Sequence, residues 1–305
     1  MNNNPIFHQA LILFLIMAVG FYAKKRRILT NDLIKGLTEL LINITVPLLT
    51  IASFNFDFSP KLLYNIGVIF AGSLGIHTLA FFLSKILFNK CAQNEKKVLQ
   101  FSTVFSNCAF MGFPVLVSIY GKIGILYGSV YVVPFTIFLW TVGIWIYRGQ
   151  RDSNSLGRII LNPGIVAVII GLIIFSFSIK LPTPLYQAID LIGSMTTPLA
   201  MIIIGAMLAG LKIKEVFGGL AIYYGTLIRL LLTPILVLGI LILLGMKGVL
   251  LGVCVISTAM PTAANTVIFA EKFNGDATFA SRIVFVSTLF SILTIPALLF
   301  LVGKF

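Results

Sequence analysis

Two side-chain amides stand in polar interruptions of otherwise apolar sequence: Asn107 in VFSNCAFMGFPV, residues 104–115, and Asn265 in STAMPTAANTVIFA, residues 257–270. A primary amide carries two donors and an acceptor, enough to orient a carboxylate, another amide or a coordinated ion. Helix-breaking or backbone-bonding residues surround both: Ser106, Gly112 and Pro114 near the first, Pro261 and Thr262 near the second. Proline lacks the amide hydrogen and clashes with the carbonyl one turn back, so each run should interrupt its helix and free backbone polar groups. Either those groups and the amides form a ligand site, or the prolines are simple kinks and the amides merely satisfy the backbone they disturb. Paired breaks in corresponding segments favour the first reading. Four ionisable residues also fall in apolar surroundings: Glu39, His77, Asp190 and Arg229. A charge near the centre of a membrane helix costs at least about 2.5–3.5 kcal/mol, so each needs a partner or water. Histidine titrates near neutral pH, which makes His77 a candidate proton carrier, and Arg229 could attract an anion. Alternatively His77 is a hydrogen-bonded structural residue, and Arg229 is glue paired with Asp190 or Glu39. Nothing forms a catalytic constellation or a metal-ligand cluster.

The elements that carry these residues follow from composition. Of 305 residues, 59% are hydrophobic and 10% charged, against roughly 25% charged in an ordinary soluble domain. The mean hydropathy is +1.07. Apolar stretches near the ~20 residues that span a bilayer core recur from end to end. They cover residues 5–23, 31–53, 61–88, 98–119, 122–147, 159–179, 184–210, 215–245, 247–270 and 277–303. Long continuous runs indicate helices, since barrel strands alternate over about ten residues. The expectation is an all-α integral membrane protein of ten transmembrane helices. MNNNPIFHQA lacks the basic start of a secretory signal, and Lys24, Lys25, Arg26 and Arg27 follow the first span, so that span is read as a retained helix. Cys91, Cys108 and Cys254 have no paired spacing and suggest neither disulfides nor a zinc site.

A net charge of +13 would invite a nucleic-acid partner in a soluble protein, but its distribution points to membrane topology and no nucleic acid. Sixteen cations fall on or beside the loops after spans 1, 3, 5, 7 and 9: Lys24, Lys25, Arg26, Arg27, Lys35, Lys85, Lys90, Lys96, Lys97, Arg148, Arg151, Arg158, Lys212, Lys214, Lys272 and Arg282. The other side has five: Lys61, Lys122, Lys180, Lys247 and Lys304. Both termini are therefore expected on the extracytoplasmic face of the cell membrane.

An offset of 151 residues aligns ELLINITVPLL, 39–49, with DLIGSMTTPLA, 190–200, matching Glu39 with Asp190 and Pro47 with Pro198. The same offset lays VFSNCAFMGFPV on VISTAMPTAANT, 255–266, so that Ser106 meets Ser257, Asn107 meets Thr258 and Pro114 meets Asn265. Two stretches sharing one offset point to duplication, with repeats at 1–150 and 151–305. Five spans per repeat is an odd number, so the repeats must insert with opposite orientation. Inverted repeats with broken helices mark secondary transporters, whose sites lie where half-helix ends meet near the bilayer midplane. A rival class, a membrane-embedded enzyme or sensor, would need clustered catalytic groups or a signalling domain; a channel is a second rival. No nucleotide-binding motif suggests a pump, and no cofactor is implied. The break regions contain no carboxylate, which favours uniport or proton-linked movement over sodium coupling.

These motifs resemble the auxin efflux carrier family, the bacterial relatives of the plant PIN-FORMED carriers. The likeness runs from end to end through FSNCAFMGFPV, ILNPGIVAVIIGL, PLAMIIIGAML, LIRLLLTPIL, AMPTAANTVIFAEKFNGD and VSTLFSILTIP. The resemblance implies two inverted five-helix repeats, in a fold similar to the bile-acid sodium symporters, with helices 4 and 9 crossing at their breaks. It implies a scaffold of helices 1, 2, 6 and 7, able to form homodimers, and a transport unit of helices 3–5 and 8–10 that moves as an elevator. By the same resemblance the substrates are organic anions such as malate, malonate or auxin-like acids. Asn107 and the Pro261–Asn265 region then match the positions that hold the carboxylate, and Glu39 and Asp190 belong to the scaffold. The long cytoplasmic loop of many plant members is absent, because RGQRDSNSLGR, 148–158, is the whole mid-chain connection.

The charge bias makes a labelling prediction. Single cysteines beside Lys61 or Lys122 should react with an impermeant thiol reagent added outside intact cells, while cysteines near Lys96 or Asp152 should not; the reversed pattern would overturn the orientation.

Overall fold

The computed structural model describes residues 5–149, 155–209 and 218–303. Arg151, Asp152, Lys212, Lys214 and Lys304, which enter the charge argument, lie outside them. Every named element is helical. In chain order they are α1 (Pro5–Lys25), α2 (Asn31–Leu40), α3 (Val46–Ser53), α4 (Pro60–Leu87), α5 (Gln93–Val104), α6 (Gly112–Phe138), α7 (Ile144–Arg148), α8 (Ser155–Ile160), α9 (Pro163–Ser176), α10 (Thr183–Ser194), α11 (Thr196–Ala209), α12 (Leu220–Leu227), α13 (Thr233–Leu243), α14 (Gly248–Ala259), α15 (Asn265–Lys272) and α16 (Ala277–Val302). Among the described residues, six helical stretches are long and apolar enough to cross a bilayer: 31–53, 60–87, 112–148, 183–209, 220–243 and 277–302. The shorter apolar helices α9 and α14 fall in the sixth and ninth expected spans. Large apolar side chains face outward along these helices, with Leu243, Leu220, Leu191 and Ile86 all more than two-thirds exposed, a surface suited to lipid rather than water. The chain is a multi-pass membrane protein.

Local sequence explains where helices start and change pitch. Thr30 caps α2 by accepting from the Leu33 N–H at 3.2 Å, Asn162 accepts from the Gly164 and Ile165 N–H groups ahead of α9, and Asp276 accepts from the Phe279 N–H at 2.8 Å ahead of α16. Two π turns, Leu41–Thr45 and Ile228–Leu232, each precede a proline, Pro47 or Pro234. Widening the preceding turn relieves the clash between the ring and the carbonyl four residues back. In the second turn Thr233 Oγ1 donates to the Ile228 carbonyl at 2.8 Å, occupying a group the wider pitch displaces. Within α6 the backbone leaves helical geometry at Gly121, with φ +59° and ψ −145°, between the expected fourth and fifth spans. Only glycine takes that conformation without strain.

The described chain forms two compact units, each drawing on both halves of the sequence. One lies within Met1–Val68, Ala109–Val133 and Ile160–Leu211, the other within Ile69–Cys108, Pro134–Ile159 and Lys212–Phe305. In the first unit α1 packs along α11, and α3 packs on α9 and α10. The α1–α11 contact is backbone against backbone: a Cβ added to Gly20 would overlap the Ile202 carbonyl, and one added to Gly205 would overlap the Met17 carbonyl. Small residues permit such approach where lipid supplies no hydrophobic drive for helices to associate. Thr50 and Ser129 share a hydroxyl hydrogen bond of 3.0 Å, which ties α3 to α6. The second unit surrounds an aromatic cluster in which the Phe101 ring lies tilted against Phe105 at 4.4 Å and Phe269 at 5.0 Å, while Trp140 lies 5.5 Å from Phe269.

Gly205→Leu should therefore destabilise the protein by about 3 kcal/mol or prevent its accumulation, because the obstructing atoms are backbone. Gly36→Ala, where nothing lies within 4 Å of the new carbon, should leave the thermal midpoint of detergent-purified protein unchanged or slightly raised.

Candidate functional site

Both expected breaks are present, and within the second unit their backbones meet. α5 ends at Val104 and α14 at Ala259. Across the following residues Ser106 and Thr262 form an isolated antiparallel bridge. The Asn107 N–H donates to the Pro261 carbonyl at 2.7 Å, and the Ala263 N–H donates to the Phe105 carbonyl at 3.0 Å. A broken helix in hydrocarbon cannot leave such groups bare, so each segment supplies what the other lacks. Pro261 suits its place, since its carbonyl accepts while its ring nitrogen has no hydrogen to satisfy. Ser106 Oγ donates to the Ser257 carbonyl at 2.8 Å, joining two positions that the 151-residue offset equates. Ser287 Oγ on α16 accepts from the Thr262 N–H at 3.2 Å and anchors the crossing to a third helix.

Arg229 completes this arrangement. It is 1% exposed, and its guanidinium donates to three carbonyls: Nη1 to Thr103 at 2.6 Å, Nε to Met260 at 3.1 Å, and Nη2 to Thr258. Thr103 lies in the last turn of α5, Thr258 lies in the last turn of α14, and Met260 is the C-cap of α14. One planar cation thus caps both half-helices. Each helix C-terminus carries roughly half a negative charge, so the two together balance one guanidinium. The charge is engaged by the fold rather than held out to a ligand. The expected partner Asp190 is bound elsewhere: in the first unit its carboxylate lies 3.1 Å from Lys122 Nζ, and that ammonium also donates to the Tyr186 hydroxyl. Glu39 is exposed on α2, with no ion-pair partner among the described residues.

The remaining expected residues divide. Asn107 and Asn265 are both half-buried at the crossing, and neither side chain has a hydrogen-bond partner among the described residues. Asn265 is the first residue of α15, whose amino-terminal N–H groups carry partial positive charge. Three buried hydroxyls in the same stretch, those of Ser257, Thr262 and Thr266, likewise have no partner among the described residues. Gly112 and Pro114 are buried in the first turn of α6. His77 is fully buried on α4; its Nδ1 lies 2.7 Å from the Ser73 carbonyl and its ring packs between Phe135 and Phe138 at 5.8 and 5.6 Å. A carbonyl only accepts, so Nδ1 carries the hydrogen, which suits a structural role. Sequence reasoning passed over Ser257, Thr266 and Ser287 because hydroxyls in membrane helices are common; for Ser257 the repeat alignment with Ser106 was the available signal.

Comparison with known proteins identifies the company this architecture keeps. A family described as membrane transport protein matches residues 5–157 and 152–299. An uncharacterized transporter of Methanocaldococcus jannaschii is 26% identical over 300 residues, covering 93% of this chain and 95% of the relative. One of Methanothermobacter thermautotrophicus is 23% identical over 295 residues, covering 94% and 95%. The uncharacterized transporter YfdV of Escherichia coli K12 is 22% identical over 298 residues, covering 93% of each.

The capping geometry predicts that Arg229→Gln, which strands carbonyls in low dielectric, will destabilise the purified protein by about 2–4 kcal/mol. Arg229→Lys should recover only part of this, because a compact ammonium cannot reproduce the planar fork. Thermal unfolding in detergent measures both; an unchanged midpoint for Arg229→Gln would mean that other donors serve these carbonyls.

Proposed function

Because the chain belongs to the membrane transport protein family, the auxin efflux carrier family that its motifs resemble, we propose that it is a secondary carrier for small organic anions working by alternating access. It belongs to a family of transporters rather than enzymes. The observation that carries the proposal is the bridged pair of helix breaks, with two amides that have no partner among the described residues and a helix start beside it. These groups provide donors without a spare fixed cation, which suits a carboxylate that must be released again as well as bound. Asn107 and Asn265 would donate to the carboxylate. Ser106, Thr262 and Pro261 would shape and support the break.

The same reading assigns movement. The helices of the third to fifth and eighth to tenth expected spans, which hold the crossing, would be the transport element, and α1–α3 with α9–α11 the scaffold through which homodimers would form. Support for this division comes from the clustering of those scaffold helices in one unit, which also takes in the 112–133 part of α6, and from the backbone contact between α1 and α11. Insertion in the cell membrane with both termini outside is supported by the cation bias.

Uptake of a panel of radiolabelled mono- and dicarboxylates into proteoliposomes, under sodium and proton gradients imposed in turn, tests the proposal. At least one acid should accumulate saturably at carrier rates, whereas channel-like conductance or no flux would reject it. Asn107→Leu and Asn265→Leu should each lower uptake and ligand-induced thermal stabilisation at least tenfold, the weight of about 1.4 kcal/mol of lost hydrogen bonding, with expression maintained. Normal uptake and affinity in both would remove these residues from the site.

A further inference from the structure

A second polar feature of the same unit lies away from the crossing. A cavity of about 460 Å³ opens where the end of α4, the start of α5 and α7 come together, and Lys85, Lys96, Lys97, Arg148, Asn89 and Trp145 line it. Among the described residues its lining includes no carboxylate. Lys85 Nζ lies 4.5 Å from the Trp145 ring centroid, Lys96 Nζ donates to Asn89 Oδ1 at 3.3 Å, Lys97 Nζ donates to the Tyr147 carbonyl at 2.9 Å, and Arg148 stacks 4.9 Å from the Phe273 ring. Among the described residues none of the four is within ion-pair distance of an acid.

Helix dipoles alone do not account for this convergence. Lys85 and Arg148 stand in the last turns of α4 and α7, where a cation is favoured by the helix dipole. Lys96 and Lys97 stand at the start of α5, the end that disfavours cations, and the first turn holds only Glu95 against them. The rim is apolar on one side. Phe82, Lys85, Ile86 and Asn89 follow one another at helical spacing, with Phe82 57% and Ile86 75% exposed, so a single stripe passes from lipid-facing side chains to the polar cavity. Trp145, 37% exposed, joins the two as an interfacial anchor.

We infer that this cavity binds the phosphodiester headgroup of an anionic phospholipid, its acyl chains lying along Phe82 and Ile86. Basic pockets among membrane helices recognise such headgroups through charge and hydrogen bonding. The apolar rim is what favours a lipid over soluble phosphate.

The test compares wild type with Lys85→Gln/Lys96→Gln/Arg148→Gln, leaving Lys97 on its backbone carbonyl. Both are purified in neutral detergent and titrated with phosphatidylglycerol, phosphatidylcholine or inorganic phosphate, with bound lipid counted by native mass spectrometry and the thermal midpoint followed in parallel. Wild type should retain phosphatidylglycerol and gain several degrees, and the triple variant should bind about 100-fold more weakly, near a factor of five per cation. Equal retention by the variant, equal retention of phosphatidylcholine, or the same stabilisation by inorganic phosphate without lipid would each overturn the assignment. Should the triple variant fail to purify, Lys85→Gln and Arg148→Gln singly should each weaken retention about fivefold, and no change in either would reject the site.

Discussion

The second unit depends on how two interrupted helices satisfy their backbone without water. Two hydrogen bonds between Phe105–Asn107 and Pro261–Ala263, and one guanidinium shared by the carbonyls of Thr103, Thr258 and Met260, replace the bonds that continuous helices would have made. The bonds between the two interrupted segments satisfy donors and acceptors beyond the helix ends. The arginine deals with the carbonyls just before them and with the dipoles those carbonyls represent. Without both, the half-helices would either join into straight spans or leave unsatisfied groups in a low-dielectric interior.

This arrangement bears on how a charged solute could be handled. A fixed unpaired cation in the membrane is costly and would hold an anion too firmly to release it. Here the buried positive charge is balanced by two helix ends, and the groups left available are neutral amides, hydroxyls and the first turn of α15. Their attraction is directional and moderate. The covering of exposed side chains elsewhere follows the opposite logic, with apolar residues turned outward and cations gathered near helix ends.

Much of this was legible in the sequence because proline, glycine and asparagine have strong local effects. Pro261 and the polar run around Asn107 announced the breaks, the length of the apolar stretches announced helices, and the 151-residue offset equated Ser106 with Ser257, which are joined by a hydrogen bond. Partners were less legible. Arg229 suggested a carboxylate counter-ion, yet its contacts are backbone carbonyls, which every residue possesses and no sequence pattern marks. Asp190 is bound to Lys122, a pairing of two half-exposed residues that burial arguments could not select. The π turns ahead of Pro47 and Pro234 were missed for a related reason, since a proline signals disturbance of the helix but not how the helix absorbs it.

The joint between Phe105–Asn107 and Pro261–Ala263 is made almost wholly from main-chain atoms. Around those main-chain bonds stand a few supporting side chains: the Ser106 and Ser287 hydroxyls, the Arg229 guanidinium, and a proline where a donor would be stranded. On the proposed reading, exchange of Asn107 and Asn265 would alter the solute accepted while the architecture that brings those side chains together stays intact. Divergence in cargo and persistence of fold would then be separable, which is the condition under which one ancestral carrier could give rise to many.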